Sequence, residues 1–192
     1  ILLGLVGSEM CIRDRCDTYI IDFQGEPIVT KFEFLKALAI ARVYGFKEYE
    51  KALTFIKLNY SSTIEGKEAE RILDDVLPTV KNDRFLKNDL SDNYKIVYQF
   101  DTVSNSDIDS QITTLKKYID KVDYLDLTVS EDFYNNIITF VVVHGLKSYD
   151  GSLGLAERLE NSIDIQAKSF FVISTDNYKT IQIHKNLDKF EK

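Results

Sequence analysis

Two histidines, His144 and His184, are the residues of this chain best suited to acid–base catalysis or metal binding near neutral pH. Both close short apolar runs that predict β-strands, so each is expected at a strand end. Neither has further ligand-type residues at the spacing of a metal motif. A structural histidine, either hydrogen-bonded or solvent-exposed, is therefore the better interpretation of each.

Two pairs of adjacent carboxylates, Asp74–Asp75 and Glu131–Asp132, are the next candidates for acid–base chemistry. Neighbouring side chains diverge in a helix or a strand, so both pairs are expected on the solvated surface. Gly145, Gly151 and Gly154 match neither the dinucleotide-binding pattern nor the P-loop, and we predict that they are turn glycines. The sequence thus predicts no catalytic, cofactor-binding or metal-binding residues, and we expect a non-enzymatic protein without cofactors.

Composition and charge limit the class of protein. The chain is 44% hydrophobic and 29% charged, which is typical of a folded protein. Its net charge of -7 disfavours nucleic acid as a partner, because phosphate binding needs a basic face. No apolar run approaches the ~20 residues of a transmembrane helix, so no transmembrane segment is predicted.

Residues 1–15, ILLGLVGSEMCIRDR, do not fit the pattern of the rest of the chain. The segment GSEMCIRDR resembles translated sequencing-adapter sequence, so we expect an artefact here and a native sequence that is truncated near Cys16. A lipoprotein signal is disfavoured, because the start is not basic and Ser8–Met10 is a poor cleavage context before Cys11. A disulfide between the two cysteines would close only a short loop, and no histidine is close enough for a metal site.

Residues 16–80 carry the periodicity of amphipathic helices. The apolar positions predict three helices in turn, Val29–Tyr44, Phe46–Asn59 and Ile64–Leu77. Gly45 is expected to end the first and Pro78 the third. Short connections favour antiparallel neighbours, and YGFKEYEKALTFIKLNYSSTIEGKEAERIL resembles a tetratricopeptide-repeat (TPR) unit.

After a polar stretch at 81–93, which predicts a linker, the periodicity changes. The elements predicted from there on are a strand Tyr94–Phe100, a helix from a capping box at Ser106 to Val122, strands Tyr124–Val129 and Ile137–His144, a helix around Leu155–Ile163, and a hairpin of Phe170–Ser174 with Lys179–His184. Turns are predicted at Glu131–Asn136, Gly145–Ser152 and Thr175–Tyr178.

This order predicts an α+β protein, with a TPR-like helical segment at 16–80 and a ferredoxin-like βαββαβ domain with an extra C-terminal strand at 94–192. In such a domain both helices cover one face of an antiparallel sheet. The other face is expected to be open as a binding or docking surface.

Three stretches, NYSSTIEGKEAERIL, IITFVVVHGL and FFVISTDNYKTIQIHKNLDKF, carry a family resemblance over about residues 17–192. Together with the order of helical repeat, linker and α+β domain, they resemble the C-terminal part of the Bacteroidetes TPR lipoproteins of type IX secretion and gliding motility (SprE/PorW type). The resemblance implies a non-enzymatic periplasmic scaffold that binds other proteins of the secretion machinery. It also implies an outer-membrane lipid anchor on a distant N-terminus, outside this sequence.

Two other hypotheses remain open at this stage. The stretch TFVVVHGLKSYDGSLGLAERLENSI, with SFFVIST, is similar in layout to the peptidoglycan-binding SPOR module, which implies glycan binding on the open sheet face. A hydrolase acting on envelope substrates is the weakest hypothesis, because no catalytic motif supports it.

Overall fold

The structure, a computed structural model, describes residues 8–87, 91–102, 108–121 and 126–190. Within these residues the chain folds into helices and one four-stranded antiparallel sheet, which confirms the α+β class. The chain divides into two compact units. One comprises Ile1–Arg84 with Thr180–Lys192, and the other comprises Phe85–Lys179.

The helical unit begins with α1 (Ser8–Asp22), α2 (Val29–Tyr44) and α3 (Phe46–Asn59). The bounds predicted for α2 and α3 are confirmed, and Gly45 separates the two helices. Consecutive helices pack on one another. Their core contains Leu53 and Ile56 of α3, both fully buried, with small residues at the helix contacts.

The third predicted helix continues further than expected. It consists of α4 (Ile64–Arg71), a π-helical turn at Ile72–Val76 and a 3₁₀ turn at Leu77–Val80. The prediction that Pro78 ends the helix is wrong, because this proline lies inside the 3₁₀ turn. It is tolerated near the start of that turn, where its missing N–H would have no helical partner.

Thr63 caps α4, since its hydroxyl oxygen accepts a hydrogen bond of 3.0 Å from the backbone N–H of Gly66. We expect Thr63→Ala to lower the free energy of unfolding by about 1 kcal/mol, because an N–H at the helix start loses its acceptor. Thr63→Ser keeps the hydroxyl and is the matched control. Urea denaturation of the three proteins tests this, and equal stability of the alanine and serine variants would contradict it.

The α+β unit contains β1 (Tyr94–Asp101), α5 (Ile108–Ile119), β2 (Thr128–Phe133), β3 (Ile138–Leu146), α6 (Tyr149–Ser162) and β4 (Ser169–Ser174). The strand order is β2-β3-β1-β4, and each neighbouring pair is antiparallel. Strands β3 and β1 therefore form the centre of the sheet, and β2 and β4 are its edges.

Both helices of this unit cover the same face of the sheet, as predicted. The core on this face includes Ile96 and Tyr98 of β1, Leu115 of α5 and Leu159 of α6, all completely buried. Burial of side chains of this size contributes about 1.5–3 kcal/mol each.

The opposite face, here called the second face, is not open at its centre. Val97, Phe140 and Val142 are completely buried there. The rings of Tyr134 and Tyr178 lie against Phe140, with centroid distances of 4.7 and 6.3 Å. The prediction of an open docking face is therefore wrong for the middle of the sheet.

The prediction of an extra C-terminal strand is also wrong. Residues predicted as the turn Thr175–Tyr178 and the strand Lys179–His184 form one helix, α7 (Thr175–His184), and a short helix α8 (Leu187–Phe190) follows. The hydroxyl of Ser174 accepts a hydrogen bond from the N–H of Asn177 at 3.3 Å, which supports the first turn of α7. The buried side chains Asn177, Tyr178 and Ile181 follow helical rather than alternating spacing.

Strand β2 lies later in the sequence than predicted. It runs over Thr128–Phe133, so the first half of the predicted turn Glu131–Asn136 is strand. Tyr124 of the predicted strand falls outside the described residues, as do the Ser106 capping box and Val122 of the predicted helix. The turn itself is built by the side-chain oxygen of Asn135, which accepts hydrogen bonds from two following N–H groups.

Two of the three predicted turn glycines lie in a helix. Gly151 and Gly154 belong to α6, whose N-terminus is capped by the Ser148 hydroxyl. Gly145 lies near the end of β3 with a φ of +96°, at a register shift between β1 and β3. There Lys95 lies opposite both His144 and Gly145, which is the geometry of a β-bulge.

Candidate functional site

Four polar side chains from three strands meet on the second face. Lys95 comes from β1, Ser130 and Asp132 from β2, and His144 from β3. The residues of β2 share a face because they are two positions apart. All four are half-buried, and the buried Tyr178 of α7 joins them. We call these five residues the polar network.

The network is a continuous series of short hydrogen bonds. The Lys95 Nζ lies 2.9 Å from Nδ1 of His144, and the Ser130 Oγ lies 2.7 Å from Nε2 of the same ring. Ser130 donates to Oδ1 of Asp132 at 2.9 Å. The phenol of Tyr178 donates to Oδ2 of Asp132 at 2.6 Å. The ring of Tyr178 is also 5.7 Å from the Lys95 ammonium.

Proton counting assigns one tautomer to His144. The Ser130 hydroxyl has a single proton, which goes to Asp132, so its oxygen must accept a proton from Nε2–H of His144. The other ring nitrogen, Nδ1, is then a lone-pair acceptor for the Lys95 ammonium. A charged lysine and a carboxylate are thus linked through a neutral imidazole and a hydroxyl.

Burial is the largest cause of the lowered pKa of both basic groups. Burial lowers the pKa of His144, and the Lys95 ammonium lowers it further, while the Asp132 carboxylate opposes the shift. Burial likewise lowers the pKa of Lys95, where the attraction of Asp132 is opposed by Lys179. The lowered pKa of His144 favours a neutral imidazole beside Lys95 near pH 7.

This hydrogen-bond pattern is suited to holding the strands and the helix in position, and it does not activate Ser130 as a nucleophile. A serine nucleophile needs a neighbouring base that can take its proton. In the network Nε2 of His144 already carries a proton, and the Ser130 proton is directed to Asp132. The network therefore joins β1, β2, β3 and the start of α7 by side-chain bonds.

Tyr178→Phe removes the only bond in the network that comes from a helix. We expect it to lower the free energy of unfolding of the α+β unit by about 1.5–3 kcal/mol, because the Asp132 carboxylate loses a charge-assisted hydrogen bond.

The matched control is Tyr118→Phe, which deletes an exposed 3.2 Å bond to Ser162 and should cost less than about 0.5 kcal/mol. Thermal unfolding of both variants measures the difference. Equal melting temperatures would show that the Tyr178 hydroxyl adds nothing.

The sequence-predicted candidates are distributed differently from the network. His144 lies within β3, and it is the one histidine in the network. His184 lies at the end of α7 in the helical unit, where its Nε2–H donates to the carbonyl of Val80 at 2.9 Å. Its ring is 5.1 Å from that of Phe46, which indicates a packing role.

The acidic pairs also differ from each other. Asp74 is exposed and pairs with Lys57 at 3.2 Å. Glu131 is exposed, but Asp132 is half-buried, so the prediction of a solvated surface is wrong for Asp132. The sequence analysis did not identify Lys95 as a site residue. Its position is nevertheless a signal, because Lys95 is a lone charge within the apolar alternation of the strand YKIVYQF.

The described part of the chain offers neither a metal site nor a membrane-spanning helix. No cluster of three or more histidine, cysteine or acidic side chains there has the geometry of a metal site. No helix there combines the length and apolarity needed to span a bilayer. Both cysteines are free thiols, and burial raises the pKa of Cys16.

Comparisons with protein-family models, with curated proteins and with solved structures found no match to this chain.

Proposed function

We propose that this chain is a non-enzymatic, protein-binding part of an envelope scaffold that serves type IX secretion and gliding motility. The observation that carries the protein-binding role is the apolar surface of the helical unit. The assignment to the secretion machinery rests on the sequence resemblance described above.

Exposed apolar side chains are concentrated in the helical unit. Eleven of the thirteen large apolar side chains found exposed among the described residues belong to it. Ile21 of α1, Leu58 of α3 and Ile64 of α4 are 73%, 74% and 83% exposed. The concentration of exposed large apolar side chains in one unit favours a site for another protein segment there.

Aromatic rings of α1 and α2 add to the exposed apolar groups of this unit. Tyr19 and Phe23 of α1 pack around Phe32 of α2 at centroid distances of 5.1 and 6.1 Å, yet each of the α1 rings remains more than 40% exposed. A groove of about 600 Å³ in the same unit is lined in part by Ile20, Ile21 and Tyr60. Helical repeats of the TPR type bury such faces against a neighbouring repeat or a bound peptide.

We further propose that the α+β unit is a ferredoxin-like domain. The element order β-α-β-β-α-β and the antiparallel strand order β2-β3-β1-β4 support this proposal. The domain would act as a non-catalytic module of the scaffold.

Site-specific photo-crosslinking in a gliding Bacteroidetes cell tests the proposed function. A photoreactive phenylalanine analogue is placed at Ile21 or Leu58, and at the exposed Lys51 of α3 as the matched control. We expect the first two positions, and not Lys51, to form an adduct with a component of the secretion machinery that mass spectrometry identifies. We also expect Leu58→Glu to impair gliding. No adduct at Ile21 or Leu58, with normal gliding of the Leu58→Glu strain, would contradict the proposal.

Peptidoglycan binding is the less favoured function. A glycan strand would need the second face of the sheet, and the centre of that face holds the buried side chains Val97, Phe140 and Val142. Sedimentation with purified cell-wall sacculi separates the two functions, because retention of the purified chain by sacculi would favour glycan binding over the scaffold role.

A further inference from the structure

We propose that His144 is an acid-sensitive latch that holds the first turn of α7 against the second face of the sheet. Protonation of its imidazole breaks the polar network and loosens this helical turn. The proposal concerns the α+β unit alone and is independent of the partner proposed above.

Two basic nitrogens are in direct contact in the network. Lys95 Nζ and His144 Nδ1 are 2.9 Å apart, so one of them must offer a lone pair to the other. The bonds on the far side of the ring already assign the ring proton to Nε2. An added proton must therefore go to Nδ1, where it faces the lysine ammonium directly.

The surroundings of the imidazole oppose its protonation. The groups that face the network are Lys95 from β1, Ser130 and Asp132 from β2, and Tyr178 with Lys179 from α7. Only Asp132 among them favours a charged imidazole, and it already accepts two hydrogen bonds. Burial and the Lys95 ammonium oppose it, so the cation is poorly accommodated in the folded state.

Ser130 and Asp132 connect the imidazole to α7 through hydrogen bonds. Asp132 holds Tyr178, and Ser130 is the bond between Asp132 and the ring. When the imidazolium repels Lys95, the carboxylate that attracts the displaced ammonium is Asp132, which then exchanges its hydroxyl partners for a lysine. The Tyr178 ring covers the buried Phe140, so loosening of this turn exposes the second face.

The sign of the pH effect follows from the lowered pKa of His144. The folded state binds this proton less readily than the unfolded chain, whose histidine has a pKa of about 6.5. The stabilising contribution is therefore complete above about pH 6.5 and is lost as the pH falls through the folded-state pKa. Neutral and alkaline solutions keep the latch closed.

Hydrogen exchange measured by mass spectrometry at residues 175–179 tests the latch. After correction for intrinsic exchange, we expect protection to fall at least about tenfold between pH 7 and pH 5, the factor that repulsion of two charges at this distance produces even in bulk water. His144→Gln, which cannot be protonated, should show no such fall. His184→Gln, which alters a histidine outside the network, should behave like the natural sequence. Equal acid sensitivity with and without His144 would overturn the proposal.

Nuclear magnetic resonance of the natural sequence provides a test that needs no variant. The ring nitrogen shifts of the two histidines report the tautomer and the pKa of each. We expect His144 to carry its proton on Nε2 when neutral and to titrate below the ordinary histidine pKa. A neutral ring protonated on Nδ1, or titration at or above about pH 6.5, would overturn the latch.

Discussion

Gly66→Ala is expected to destabilise the helical unit by about 3 kcal/mol or more, the upper part of the range for an overpacked core. A Cβ at this position would lie 1.9 Å from the carbonyl oxygen of Tyr60 and 2.6 Å from its carbonyl carbon. Both are backbone atoms, which cannot move aside as the end of a flexible side chain can. The Tyr60 carbonyl also belongs to the turn in which it accepts the N–H of Thr63 at 2.9 Å and Thr63 caps α4. Relief of the clash therefore disturbs both the end of α3 and the start of α4.

Circular dichroism during thermal and urea unfolding measures the effect of Gly66→Ala. The matched control is Gly154→Ala in α6, where an added Cβ meets no atom within 4 Å. In that helix alanine should stabilise by about 0.5–1 kcal/mol, because glycine loses more backbone entropy on folding. If the two substitutions shift the midpoint in the same direction, the close approach of Gly66 to Tyr60 does not exist in solution.

The helices that sequence analysis located correctly are those whose periodicity and ends are local. Both α2 and α3 have apolar residues at helical spacing, with Gly45 between them. Local periodicity predicts the wrong element at α7, because Ile181 and Ile183 alternate with polar residues as they would in a strand. The cap from Ser174 and the burial of Tyr178 on one side of the helix override that alternation.

The polar network could not be predicted from sequence, because it depends on pairing between distant residues. Lys95 meets His144 only because β1 pairs with β3 and a bulge occurs at that point. Ser130 and Asp132 meet His144 only in the observed register of β2, which begins four residues later than the predicted strand that started at Tyr124. A shift of one residue would have moved both side chains to the opposite face.

Gly145→Ala is the second large effect, and it links the fold to the network. Gly145 has a φ of +96°, which alanine adopts at a cost of about 1–2 kcal/mol. An added Cβ would also lie 2.3 Å from the carbonyl oxygen of Asp126. The bulge places Gly145 and His144 together opposite Lys95, so a backbone shift at Gly145 also displaces the imidazole. We expect a loss of about 3 kcal/mol in the stability of the α+β unit.

Gly25→Ala separates the two contributions to that loss. Gly25 has a similar φ of +91°, but an added Cβ there meets no atom within 4 Å. Its alanine variant should therefore show only the cost of the backbone conformation, about 1–2 kcal/mol. The excess loss at Gly145 measures the clash with Asp126, and a displaced His144 ring should raise the histidine pKa toward its ordinary value of about 6.5. Equal losses at the two glycines, with an unchanged titration of His144, would show that the bulge does not position the imidazole.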